Sequence, residues 1–187
     1  MQTAILLPRH KLTVDHYHKM AEAGILTTLD RVELIEGELI DMAPIGSQHA
    51  TRVDYLTRLL VKQVSDDHWV RVQNPVHLGK HSEPEPDIAI VRNRRYSKAH
   101  PTPKDVLLLI EVADTTVQYD RDIKIPLYAR HHIPEVWLLD LPRGRLEIHL
   151  QPGKQGYRQI LLPDLDETIS PSLVPEVSVW IAELFEQ

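Results

Sequence analysis

The sequence predicts a mixed α/β fold, a mixed β-sheet flanked by helices with a helix and hairpin added at the N-terminus. Three observations predict it. Two apolar runs, 88–91 and 106–112, are rich in Val, Ile and Leu and are joined by a loop carrying Asn93, Pro101 and Pro103. A loop without a helix suits an antiparallel pair. A helical stretch over 121–131 then leads to a third run, 136–140. A strand–helix–strand crossover makes that run parallel to 106–112 with a right-handed connection.

Taken in order, Thr13 reads as an N-cap, with His16 three positions on and Val14, Tyr17, Met20 and Ala21 on the helix that ends near Gly24. Asp30 to Met42 reads as a hairpin turning at Gly37. Ser47 is expected to cap a helix from about Gln48 to Val64, whose Val53, Leu56, Leu59, Leu60 and Val64 follow helical spacing. Strands are expected at 69–73 and 76–78, ahead of the two apolar runs. Asp120 is expected to cap the helix over 121–131, where Pro126 removes a backbone bond and should bend or shorten it. A last hairpin joins 145–150 to 157–162 around Gly153 and Gly156, and 178–185 reads as a short closing helix.

The 187 residues read as a single domain: an addition over about 1–45, a core over about 46–141, and a hairpin and helix over about 142–187. The net charge is −6, which counts against a tight, sequence-blind DNA binder. It is compatible with an enzyme that has acidic metal ligands and a local basic face. Arg92, Arg94, Arg95 and Lys98 form one candidate face, and Arg121, Lys124 and Arg130 another; solvated surface is the plain alternative for both. With no cysteine, disulfides, thiolate metal sites and cysteine nucleophiles are excluded. The apolar run at 4–7 is cut by Pro8 and is too short for a signal peptide, and no run approaches a membrane span. A cytoplasmic protein is expected.

The chemistry concentrates between Glu83 and Asp140. Asp87 opens the first apolar strand and Glu111 closes the second, so an antiparallel pair sets both carboxylates at one end. Lys124 falls on the following helix and can lean over the face that carries Glu111. Two carboxylates and an ammonium suit a divalent cation and a phosphate, the equipment of a metal-dependent nuclease. Asp87 and Glu111 would hold Mg²⁺ or Mn²⁺, hard cations that prefer oxygen. Lys124 would orient water or stabilise charge on the phosphate. Taken singly, Asp87 reads better as a turn residue and Glu111 as a surface acid; it is the combination that reads as a site. Glu33 lies in an apolar strand and either completes the acidic cluster or faces outward. His49 lies near a helix N-terminus and either touches phosphate, acts as a base, or caps. Glu83 either adds a further ligand or, the better reading, is a solvated loop acid. Eleven histidines invite a zinc reading, but none shows HExxH spacing, so zinc hydrolysis is rejected. No phosphate-cradling glycine loop is present, and no organic cofactor is expected.

The order of elements matches the core of PD-(D/E)xK nucleases, and the sequence resembles one branch, the Uma2 family of putative restriction endonucleases. The segments that carry the resemblance are 31–38 (RVELIEGE), 47–49 (SQH), 82–87 (SEPEPD), 110–115 (IEVADT), 119–124 (YDRDIK) and 133–137 (IPEVW). The resemblance implies a restriction-endonuclease-like sheet, a DNA substrate, and Asp87, Glu111 and Lys124 as the site, with Glu33 and His49 as lesser members. It also implies that the lysine, absent from the strand at Ala113, comes from the helix. His131-His132 stands where relatives usually have a small residue and glycine, and Thr115-Thr116 where many have Pro-Ser or Ser-Thr types. The expected activity is metal-dependent DNA endonuclease. The alternative is a weak or silent nucleic-acid-binding or regulatory protein on the same fold. Duplex cleavage with one site per chain suggests a homodimer, with Trp180, Ile181, Leu184 and Phe185 either at its interface or covering their own core.

Overall fold

The computed structural model describes residues 8–186, so the apolar run at 4–7 lies outside the described residues. The sheet is built from β3 (His68–Val72), β4 (Ile88–Arg92), β5 (Val106–Ala113), β6 (Glu135–Asp140), β7 (Arg145–Gly153) and β8 (Gly156–Leu161). They lie in the order β3-β4-β5-β6-β7-β8. Only β5 and β6 run parallel; every other neighbouring pair is antiparallel. The sheet is mixed, as the crossover rule requires.

β5 is buried along its whole length, and side-chain alternation splits it between two cores. Leu108, Ile110 and Val112 pack with Val53, Leu56 and Leu60 of α2 (Ser47–Gln63) and with Val179, Ile181 and Leu184. Leu109 and Ala113 pack on the other face with Ile125, Leu127 and Tyr128. Glu111 belongs to this second face by position, between Leu109 and Ala113. Ala113 is fully buried, so a lysine at that strand position would have to displace packed side chains.

Ahead of the sheet, α1 (Val14–Glu22) opens with the Thr13 cap, whose hydroxyl accepts from the His16 N–H while the His16 ring accepts from Thr13 N–H. The hairpin pairs β1 (Val32–Ile35) with β2 (Glu38–Asp41). Its two turn residues, Glu36 and Gly37, have φ of 49° and 84°, the primed-turn geometry. A Cβ at Gly37 would also lie 2.6 Å from Lys11 Cβ, so glycine is required twice over.

Four local expectations need correction. Gly46, not Ser47, is the N-cap of α2, and no side chain caps it. Residues 76–78 are no strand; Val76 and Leu78 donate to Pro84 and Ser82 carbonyls within their own loop. The C-terminal stretch is β10 (Val179–Trp180), paired with β9 (Thr168–Ile169), followed by a 3₁₀ turn at Ile181–Leu184.

The fourth concerns the lysine helix. It starts early, as α3 (Val117–Tyr119), widens into a π turn over Asp120–Lys124, and ends as α4 (Ile125–Arg130). Ile125 N–H bonds back to the Asp120 carbonyl, five residues away. Pro126 then stands in the first turn of α4, where a missing N–H costs little. The helix bypasses its proline by changing register, and Asp120 lies inside it rather than capping it. At its other end His132 has φ 60°, a left-handed position that usually favours glycine.

Candidate active site

Ile88 pairs with Ile110 in the antiparallel β4–β5 register, so Asp87 and Glu111 are the next residues along at the same end. The Val112 N–H donates to Asp87 Oδ2 at 2.8 Å, which pins the aspartate beside the end of β5. Its other oxygen faces His49 Nε2 at 3.0 Å and Gln73 Nε2 at 3.4 Å. From the π turn, Lys124 Nζ reaches Glu111 Oε1 at 2.9 Å, Glu33 Oε2 at 3.7 Å and the Glu85 carbonyl at 3.3 Å. Tyr128, one turn beyond Lys124, donates its hydroxyl to Glu111 Oε1. Glu33 accepts from the Glu85 N–H and from the Tyr119 hydroxyl, both at 3.0 Å.

Apart from Val112 and the buried Tyr128, the residues making these contacts line a cleft of about 760 Å³. Glu33, Asp41, Glu85, Asp87, Glu111, Asp114, Asp120 and Asp122 all border it, against the cations of Lys124 and Arg31. Burial is the main cause of the high Glu111 pKa, pushed up to about 8, and Asp120 and Asp87 add to it. Burial likewise raises Asp120 and Glu85. For Asp87 burial also pushes upward, but the His49 hydrogen bond, Lys124 and the Val112 N–H outweigh it and hold the carboxyl below its ordinary value. His49 is raised, chiefly by its bond to Asp87. Burial opposes the charge on Lys124, yet Glu111 and Glu33 overcome it and lift its pKa well above the usual lysine value. A cluster of carboxylate oxygen donors lining one cleft fits a divalent cation.

The structure brings together all five residues singled out from the sequence: Asp87, Glu111, Lys124, Glu33 and His49. Glu83 is 2% exposed, so it is a buried acid and not a solvated loop residue, but it does not line this cleft. The second candidate basic face dissolves: Lys124 is buried, Arg121 pairs with Asp140 and Glu147, and Arg130 with Glu36. In the first, Arg94 is paired with Asp105.

Besides Asp120, expected only as a cap, four participants escaped the sequence reading. Glu85 had a signal, since Glu83-Pro84-Glu85-Pro86-Asp87 alternates acids along an extended chain. Tyr128 had one too, four residues after Lys124 on a helix. Tyr119 and Gln73 had none, because their approach depends on the π turn and on the edge of the sheet.

A mixed sheet flanked by helices, with acids at the end of two central strands and a lysine behind them, defines a nuclease-like class of fold. The family model of Uma2, described as "Putative restriction endonuclease", matches residues 14–182, and the chain belongs to that family. Among solved structures, the chain is similar to a putative nuclease belonging to DUF820 from Anabaena variabilis. The TM-score is 0.73 at 16% sequence identity, covering 93% of this chain and 97% of that one. Among curated proteins, none matches. Among the described residues, no helix is long and apolar enough to cross a membrane.

Proposed function

We propose that the protein is a cytoplasmic, divalent-metal-dependent endonuclease that hydrolyses DNA phosphodiester bonds in the cleft between β4–β5 and the π turn. The observation that carries this reading is the juxtaposition of Asp87, Glu111 and Lys124 at one end of two paired strands, with more carboxylates than cations around them. Asp87 and Glu111 would hold Mg²⁺ or Mn²⁺, which supplies Lewis-acid polarisation of the phosphate and a more acidic bound water.

The chain's own groups divide the remaining work. The Val112 N–H and His49 fix the Asp87 carboxylate, so its donor oxygens are set before substrate arrives. Tyr128 and Lys124 together hold Glu111. Glu33 and the Glu85 carbonyl steady the lysine from behind, leaving its charge to stabilise the phosphate as water attacks and the P–O bond breaks. His49, Glu33 and Tyr128 act through their neighbours and are positioning residues.

Supercoiled plasmid tests this. Wild type should nick or cut it with Mg²⁺ or Mn²⁺ and not with EDTA, and Asp87→Ala should be inactive at equal folded concentration. A second reading, a weak or silent nucleic-acid-binding or regulatory protein, is favoured by the net charge of −6 and by the pairing of Arg94, Arg121 and Arg130 with acids. Metal-independent DNA binding without cleavage would select it.

The expected working form is a homodimer, since a duplex needs two cuts. Ile181 and Leu184 are buried in their own chain's core, and only Trp180 of the C-terminal group is strongly exposed. Light scattering decides: a mass near 21.5 kDa, that of one chain, would reject the stable dimer.

A further inference from the structure

Away from the cleft, three segments distant in sequence bring imidazoles onto one buried carboxylate. His18 is on α1, Glu83 is bridged to Leu34 of β1, and His100 precedes Pro101 in the loop before β5. One donor atom from each lies within 4.8 Å of the other two. His18 Nε2 is 2.6 Å from Glu83 Oε1, and the His18 and His100 rings meet edge to face at 6.3 Å. The other Glu83 oxygen is held by His77 Nδ1 at 3.2 Å.

We propose that His18, Glu83 and His100 form a second metal site, suited to Zn²⁺, that clamps the N-terminal helix to the sheet-bearing body. The donor set decides the metal. Two imidazoles and one carboxylate suit zinc, whereas Mg²⁺ prefers oxygen alone. Glu83 is only 2% exposed, and its side-chain partners His18 and His77 are imidazoles rather than a lysine or arginine. In the metal-free protein His18 Nε2 and Glu83 Oε1 meet directly in a hydrogen bond. Tetrahedral zinc, with bonds of about 2.1 Å, sets its ligands about 3.4 Å apart. His18 and Glu83 must therefore open from 2.6 Å to admit the ion, while the donors that stand farther apart, at most 4.8 Å, close around it. His18 is free to make that adjustment, because its side chain is 46% exposed and gives the ion a way in. The His77 bond to Oε2 supplies the outer hydrogen bond that metal-bound carboxylates need, and water takes the fourth position.

The clamp would reinforce a light attachment. Among the described residues, α1 buries only Val14. Its polar ties to the rest of the fold include Tyr17 to the Val32 carbonyl and Val14 N–H to Lys80. The link that follows α1 exposes Ile25 and Leu29. This zinc is structural, so the exclusion of zinc hydrolysis stands. No local motif announced it, because positions 18, 83 and 100 meet only through the fold.

Calorimetric titration of EDTA-treated, desalted protein with Zn²⁺ tests the site. Wild type and Asp87→Ala should bind it alike, while His18→Ala and His100→Ala should each weaken binding by more than about 10²-fold. Circular dichroism establishes that the variants fold, and visible absorption of bound Co²⁺ reports the same site independently. Absence of saturable Zn²⁺ binding to wild type would overturn the site, as would binding unaffected by both histidine variants or lost in Asp87→Ala. Zn²⁺ should also slow proteolysis between Gly24 and Asp30 in wild type but not in His100→Ala. Cutting that is unchanged in wild type at saturating Zn²⁺ would overturn the clamp.

Discussion

Two clusters of buried charge lie a short way apart, and they are wired in opposite ways. On β6 and β7, Asp140 and Glu147 are matched by Arg121, Arg143 and Arg145, with contacts from 2.6 to 3.7 Å. Burial pushes both carboxyls upward, but the arginine hydrogen bonds outweigh it and hold both below their ordinary values. In the cleft, eight carboxylates stand against Lys124 and Arg31, and Glu111, Asp120 and Glu85 are driven upward. The first cluster is complete within the chain. The second is short of positive charge, and in the function proposed above that deficit is where the cation binds.

Lys124→Met should show the largest effect. Cleavage should fall by roughly 10²-fold or more, the scale for losing one transition-state donor. Metal-free stability should fall as well, because the lysine is the buried partner of Glu111. Plasmid assays and melts with and without Mg²⁺ measure both. Cleavage equal to wild type would remove the lysine from the mechanism.

Asp140→Ala sharpens the contrast from the other side. It should cost about 1–3 kcal/mol of stability, by stripping hydrogen bonds from a buried network. Cleavage per folded molecule should not change. Urea titration followed by the plasmid assay separates the two quantities.

Acid should act through the same arginine cluster. Asp140 and Glu147 have depressed folded pKa values, so their stabilisation is complete above the unfolded carboxylate range, near about 4. It is lost as pH falls through the lower folded values. Arg121→Ala should raise those values and move the onset of acid unfolding upward, readable by circular dichroism against pH.

The smallest effect belongs outside both clusters. His132→Gly relieves a side chain at φ 60° and should add roughly 0.5–1 kcal/mol, the steric relief less the entropy glycine costs. A rise in Tm with unaltered cleavage would confirm that position 132 ends a helix and nothing more.

How much of this could be read from the chain depends on how local each signal is. The β4–β5 pair was legible, since apolar runs and a proline-rich loop fix an antiparallel neighbour. The Asp87–Glu111 adjacency followed from that register alone. The π turn was not legible, although Pro126 warned of an interruption: the residue pattern of one wide turn differs too little from an α-helix. The fate of charged residues was least legible. Arg121 and Lys124 stand three positions apart, yet one serves the complete cluster and the other the deficient one. Only their directions on the widened turn separate them. Ala113 shows the converse, where a small residue in the strand leaves the ammonium to arrive from the helix.

Thermal melting against Mg²⁺ tests the contrast most directly, with wild type, Asp87→Ala and Asp140→Ala side by side. Mg²⁺ is chosen because its oxygen preference keeps it off the histidines. Wild type and Asp140→Ala should gain stability with metal, by about 2.7 kcal/mol at a hundredfold excess over Kd, and Asp87→Ala should gain none. An equal gain in all three, or none in wild type, would contradict a cation site at Asp87 and Glu111.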